Sequence, residues 1–164
     1  MARIEAADFD AGPLIHLQQI NSLGMLSLFK RILVSEHVCQ ELRSGFHLPK
    51  NCFITDLAGE SKDLAKLASE RYDLGLGEAS AIALAKQERI KLLFTDDLTA
   101  RDAAKRFGLE PHGTLAILTR AYRENMLGKR DAISCLEKLH SVSNLYLTRD
   151  LVDWARKQIE SYRK

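Results

Sequence analysis

Residues 91–108 constrain the fold more than any other stretch of this chain. The apolar run Leu92-Leu93-Phe94 ends in Thr95-Asp96-Asp97 and then changes to helical spacing, with Ala100, Ala103, Ala104 and Phe107 on one side and Gly108 as a stop. An apolar run of this kind, closed by a turn and followed by a 3.6-residue period, predicts a buried strand that delivers two carboxylates into a strand-to-helix turn. Ligands of open α/β sheets gather outside the carboxyl ends of the strands, so acids at such a turn are placed for chemistry better than acids along a helix. A site built there needs further carboxylates from elsewhere in the chain.

The same pattern recurs upstream. Residues 4–9 read as a strand ending in Asp8-Phe9-Asp10-Ala11-Gly12-Pro13, after which Leu14, Ile15, Leu17 and Ile20 follow helical spacing. Residues 23–29 read as a short helix, and Ile32-Leu33-Val34 as a second strand. Ser35 then caps a helix running to Arg43, in which Val38, Glu41 and Leu42 lie at i, i+3 and i+4, so that Glu41 borders the apolar face. Residues 45–60 read as an irregular connection with a short strand at 52–54, and residues 61–71 as a helix with Leu64, Leu67 and Ala68 inward. A glycine-bearing turn opens an alanine-rich helix in which Glu78 shares a face with Ala81, Ile82 and Ala85. After Gly108 the pattern predicts a short edge strand at 109–111, helices at 114–125 and 131–140, and a last short strand at 144–147. Thr148 caps a terminal helix with Leu151, Val152, Ala155 and Ile159 inward and Trp154 partly buried. Strands alternating with helices predict a parallel α/β sheet in a single domain, residues 1–164.

Composition sets the bounds. A chain of 164 residues, 46% hydrophobic with three prolines, can bury a genuine core. No run approaches the roughly 20 apolar residues of a membrane span, and Met1-Ala2-Arg3-Ile4-Glu5 does not read as a signal peptide, so a cytoplasmic protein with no membrane partner is expected. Cys39, Cys52 and Cys135 are odd in number and widely spaced, which predicts reduced thiols. A net charge of +2 permits a nucleic-acid partner without requiring one.

Four acidic points remain: Asp10, Glu41, Glu78 and the pair Asp96-Asp97. Each has a local explanation when taken alone. Asp10 would cap a helix, Glu41 would reach water or Arg43, Glu78 would favour a helix dipole, and Asp97 would pair with Arg101 one turn on. Taken together, converging carboxylates repel one another unless a cation lies between them, and hard oxygen donors without an organised Cys/His set favour Mg²⁺ or Mn²⁺. The reaction this predicts is metal-assisted hydrolysis of a phosphodiester.

The motifs Asp10-Ala11-Gly12-Pro13-Leu14-Ile15, Val38-Cys39-Gln40-Glu41-Leu42, Gly77-Glu78-Ala79-Ser80-Ala81-Ile82 and Phe94-Thr95-Asp96-Asp97-Leu98-Thr99-Ala100-Arg101 resemble, in order and spacing, the acidic motifs of PIN-domain proteins. Residues 113–118 and 144–159 resemble the subgroup related to the VapC toxins of toxin–antitoxin pairs. The resemblance implies a Rossmann-like three-layer α/β/α fold with a mainly parallel sheet. It also implies a Mg²⁺- or Mn²⁺-dependent ribonuclease, a toxin that forms a homodimer and is neutralised by a small protein antitoxin. Carried over by position, Asp10, Glu41, Glu78 and Asp97 are the catalytic acids, with Asp96 competing with Asp97; Asp10, Glu78, Asp97 and Asp96 are the metal ligands, and Thr95 and Arg101 orient the substrate. Where the family commonly has Thr or Ser after its first aspartate, this chain has Ala11-Gly12.

That departure motivates a second reading, a PIN-like module that has lost catalysis and binds RNA or a protein. A phospho-acceptor domain is a third, opposed by the lack of a lysine at an obvious strand end. Arg101, Lys105, Arg106, Arg120 and Arg123 are the cations available to meet phosphates. The five histidines show no mutual ligand spacing, and no histidine base is expected.

Overall fold

A computed structural model of the chain describes residues 3–162. The outermost two residues at each end of the expected domain lie outside them. Five strands, β1 (Ile4–Phe9), β2 (Phe29–Ser35), β3 (Cys52–Thr55), β4 (Leu92–Phe94) and β5 (Glu110–His112), form one sheet in the order β3-β2-β1-β4-β5, and every pairing is parallel. The chain therefore winds outward from β1 in one direction through β2 and β3, then returns to β1's other side for β4 and β5. That reversal is a topological switch point, where the loops leaving two neighbouring strands diverge and open a crevice. Asp10 follows β1 and Asp96-Asp97 follow β4, so both acidic turns border this crevice.

Among the described residues eight α-helices surround the sheet, α1 (Ala11–Gln19), α2 (Glu36–Glu41), α3 (Gly59–Tyr72), α4 (Leu76–Gln87), α5 (Leu98–Arg106), α6 (Thr114–Arg123), α7 (Lys129–Ser141) and α8 (Arg149–Ser161), and the short helix expected at 23–29 is a 3₁₀ helix, Leu23–Leu28. The helix α4 packs on β1, β2 and β4 and against α3 and α5, while α1, α6, α7 and α8 pack among themselves, giving a three-layer α/β/α arrangement. Alanines are what let α4 do this. Ala79, Ala81, Ala83 and Ala85 are all buried, and small side chains bring its backbone close to the strands. Under the sheet's centre, Phe9 stacks on Phe94 with ring centroids 4.7 Å apart, and Phe29 meets both rings edge-on. These three rings lock β1, β2 and β4 together just below the crevice.

The first five predicted strands form, with β2 starting three residues ahead of its apolar run, while α2 stops at Glu41, short of Arg43. The strand expected at 144–147 does not form. Its alternation is real, since Leu147 is buried and Tyr146 exposed, but the backbone amide of Asn144 donates to Gln19 Oε1 and that of Leu145 to Ser143 Oγ instead of to a sheet edge. Three outward side chains also depart from the helical reading: Leu67 on α3, and Leu151 and Trp154 on α8 are exposed. The three cysteines are free. No helix among the described residues is long and apolar enough to cross a membrane.

Candidate active site

The turn after β1 places Asp10 with only 6% of its surface exposed. Its backbone amide continues the sheet by donating to the Phe94 carbonyl at 2.9 Å, which fixes the residue against the end of β4. Its side chain makes no helix-capping hydrogen bond, so the capping explanation of this acid fails. Asp10 Oδ2 accepts from the Thr95 hydroxyl at 3.0 Å, and Oδ1 is buried with no partner. Burial is the main cause that pushes the Asp10 carboxyl up to about 7; the Ala11 amide and the Thr95 hydroxyl pull it down, and the charges of Glu78 and Glu41 raise it again.

Glu41 and Glu78 arrive from α2 and α4. A buried hydroxyl pair joins the starts of these helices. Ser35 Oγ accepts from the Val38 amide at 3.1 Å and lies 2.6 Å from Ser80 Oγ, which in turn donates to the Gly77 carbonyl. Gly77 is where the Glu41 side chain of α2 reaches α4. A Cβ at this position would overlap the Glu41 carboxylate, so only glycine lets Glu41 lie over the first turn of α4. Glu78 Oε2 accepts from the Gly75 amide at 2.7 Å; burial still raises its carboxyl, that hydrogen bond lowers it, and the charges of Asp97 and Glu41 raise it further.

Asp96 and Asp97 diverge at the end of β4. Asp97 caps α5, accepting from the Ala100 amide at 2.7 Å through Oδ1, and is the neighbour whose charge Glu78 feels. Asp96 turns away toward α1 and α6. Its Oδ1 accepts from the Thr114 amide at 2.8 Å, and its Oδ2 accepts from the Thr114 hydroxyl and lies 2.7 Å from His16 Nδ1. Burial opposes the Asp96 charge, but the His16 and Thr114 hydrogen bonds outweigh it and hold the carboxyl below its ordinary value. Arg101 does not pair with Asp97 as the one-turn spacing predicts. Its Nε donates to the Thr95 carbonyl at 2.9 Å and its Nη2 lies 3.8 Å from Asp96 Oδ1. Both side chains lie over Gly113, whose missing Cβ leaves them room.

Asp10 thus feels the charges of Glu78 and Glu41, and Glu78 those of Asp97 and Glu41, whereas Asp96 is engaged with His16 and Thr114 instead. Among the described residues, none of Asp10, Glu41, Glu78 and Asp97 makes an ion pair, and no three His, Cys, Asp or Glu side chains form a ready-made cage for a metal ion. The donor set nevertheless fits a hard divalent ion. A buried carboxylate oxygen lacks any donor, and Mg²⁺ keeps most of its waters and takes only one or two carboxylates directly. Of the other candidate cations, Lys105 pairs with Asp102, Arg120 with Glu124, and Arg123 stands over the Tyr162 ring. Arg101 alone among these five cations lines the groove that contains Asp96 and Asp97.

Nothing in the chain's spacing marks His16 as a site residue, and Gly77, Gly113 and Thr114 enter the sequence reading only as members of motifs with no role of their own. Their partners lie far along the chain, as the separation of 80 residues between His16 and Asp96 shows. Asp8 is a further acid that the pattern does not single out. It is fully buried on β1, neither of its carboxylate oxygens has a partner, and burial, with the charge of Asp10 next, pushes its carboxyl well above the ordinary range. A lone acid within a strand two residues before Asp10 is the signal that could have found it.

Neither the curated proteins nor the solved structures contain a match to this chain. A family model described as PIN domain matches residues 8–161, from β1 to the last turn of α8, and PIN domains are in general nucleases that use divalent metal ions. The matched residues make up most of the chain and include both acidic turns of the parallel sheet, and the chain belongs to the PIN-domain family.

Proposed function

We propose that this PIN domain is a Mg²⁺- or Mn²⁺-dependent ribonuclease and the toxin of a toxin–antitoxin pair. The observation that carries the hydrolytic part is the unpartnered, buried Oδ1 of Asp10 within electrostatic reach of Glu41 and Glu78, at a switch-point crevice bordered by Asp97. Asp10, Glu78 and Asp97 would hold the ion, one or two of them directly and the rest through its waters, and Glu41 would complete the negative field around it. When bound, a divalent ion supplies charge stabilisation at phosphorus and a water acidified toward neutral pH.

The chain's own residues prepare that chemistry. The Thr95 hydroxyl occupies Asp10 Oδ2 and so leaves Oδ1 as the oxygen free for a ligand. The Gly75 amide and the Ala100 amide each hold one oxygen of Glu78 and Asp97, which fixes the rotamers of these acids before any ligand binds. Arg101, braced by the Thr95 carbonyl and Asp96 and with a side chain 30% exposed, presents its guanidinium to a phosphate entering the groove. Asp96 is a bracing residue in this reading, and Asp97 the ligand, because both Asp96 oxygens are already engaged.

The toxin assignment, the small antitoxin and the homodimer rest on the resemblance of residues 113–118 and 144–159 to the VapC-related subgroup, and the cytoplasmic location on the lack of a membrane-length apolar run in the sequence. The reading of a catalytically weakened binding module is favoured by Ala11, which offers no hydroxyl beside Asp10. Thr95 weighs against it, since a hydroxyl does reach Asp10 from the end of β4.

The deciding experiment incubates wild type, Asp10→Asn and Asp97→Asn with a structured RNA and with the matching DNA, in Mn²⁺ and in EDTA, after circular dichroism has shown all three folded. Cutting of RNA by wild type in Mn²⁺, absent in EDTA and lost in both variants, is the expected result. RNA binding without cutting by any of the three would replace the nuclease with the binding module. Growth arrest on expression of wild type, relieved by Asp10→Asn, is the result expected of a toxin.

A further inference from the structure

The groove that holds Asp96, Asp97 and Arg101 has a second set of walls that the hydrolytic site leaves unused. It measures about 630 Å³, and the C-terminal segment lines it with Tyr146, Leu151 and Trp154. Exposure here is unusual for such side chains: Tyr146 is 87% exposed, Trp154 54% and Leu151 40%, and Leu98 beside Asp97 is 72% exposed. Core packing explains none of this. On α8 the inward stripe is Val152, Ala155 and Ile159, and Trp154 lies off it.

We infer that Tyr146 and Trp154 form a nucleobase-stacking subsite that holds a base of single-stranded RNA next to the acidic centre. The proposal rests on the ribonuclease reading and deepens it by giving the substrate's bases a place. A nucleotide divides into an anionic phosphate and a neutral π-face, and this groove offers a guanidinium for the first and two aromatic rings for the second. Size also points to a base. A stable protein interface engages roughly 20–30 residues a side, whereas a stacked base needs one or two ring faces, and the exposed apolar set here is four side chains. Stacking reads every base, so the subsite would favour unpaired RNA without choosing a sequence.

Trp154 is the chain's single tryptophan, so its fluorescence reports on this groove without a label. The whole protein, with Ca²⁺ in place of Mn²⁺ and the oligomer recovered intact on a gel afterwards, is titrated with a single-stranded RNA hexamer and with an abasic ribose-phosphate oligomer of equal length. Saturable quenching by the RNA and not by the abasic oligomer is expected. Fluorescence polarisation of labelled RNA should show Trp154→Ala and Tyr146→Ala each weakening binding about tenfold, with Trp154→Phe restoring most of it because a ring is kept. Equal quenching by both oligomers, or alanine variants that bind as wild type does, overturns the subsite. So does a concentration-dependent Trp154 emission shift without RNA, accompanied by a dimer that Trp154→Ala dissolves, since the groove would then be a protein interface. The two readings fail separately. Base-dependent quenching with no cutting in Mn²⁺ keeps the subsite and removes the nuclease, while cutting with KM and kcat unchanged in both alanine variants does the reverse.

Discussion

Asp96 accepts hydrogen bonds from the amide and hydroxyl of Thr114, lies against His16 and has a guanidinium near by, whereas Asp10 across the crevice keeps one buried oxygen with no donor at all. Both acids sit at strand ends of the same switch point, and both are largely buried. Their ionisation is pushed in opposite directions, Asp96 below its ordinary value and Asp10 up to about 7. The difference separates an acid held by donors from an acid left without one. A carboxylate surrounded by donors stabilises the folded chain, and one surrounded by other carboxylates costs stability until something positive arrives.

The sharpest break of this comparison is in activity. Asp10→Asn and Asp97→Asn should lower the rate of RNA cleavage by about a hundredfold or more, because each removes a proposed ligand oxygen. Asp96→Asn keeps the carbonyl that Thr114 needs and should retain far more activity at saturating Mn²⁺. Comparable losses in all three variants would erase the distinction.

Stability against pH comes next in size. Asp10 has an unfolded value of 3.8 and a folded value of about 7, so between these the folded chain holds a proton that the unfolded chain has released. Raising the pH through that window therefore destabilises the metal-free protein, by about 4 kcal/mol from this group once the pH is above both values. Urea denaturation in EDTA at pH 5 and pH 8 should show the drop, and Asp10→Asn should reduce it, leaving the smaller part that the raised Asp8 and Glu78 contribute. Mn²⁺ should restore stability at pH 8 and much less at pH 5, where protons compete for the same oxygen. A flat profile in wild type would show that Asp10 is solvated or paired in solution.

Asp96→Ala is expected to lose about 2–4 kcal/mol, since it strands the Thr114 amide and His16 together. Its sign with pH is opposite. The Asp96 contribution is present above its unfolded value and lost as pH falls through the depressed folded one. The smallest effect belongs to Asp8. Asp8→Val replaces an unpartnered buried carboxyl with an apolar side chain of strand-forming shape and should stabilise the metal-free protein at pH 8 by about 1–3 kcal/mol. Loss of stability in that variant would mean that Asp8 has a partner in solution, such as a buried water.

Much of the fold is legible in the amino-acid sequence. Hydrophobic period and turn chemistry locate all five strands, most plainly β2 and β4, since a strand buried on both faces is apolar along its length, as Ile32-Leu33-Val34 and Leu92-Leu93-Phe94 are. The false strand at 144–147 marks the boundary of that logic. Alternation reports which side chains are buried, and Leu147 is, but a strand also needs a neighbouring edge to receive its amides. The same boundary hides the exposure of Trp154, since one helix turn does not reveal which neighbours stop short of it.

The sequence by itself determined that acids would end the first and fourth strands, that a glutamate would open an alanine-rich helix, and that strands would alternate with helices. These are local matters, fixed by period, caps and side-chain size. Only the tertiary structure decided that Asp97 faces Glu78 while Asp96 turns to His16 and Thr114, and that Gly77 gives way to Glu41. Those partners are set by strand order and helix packing across up to 80 residues of chain, and no spacing along the chain records which of two adjacent carboxylates will find a donor.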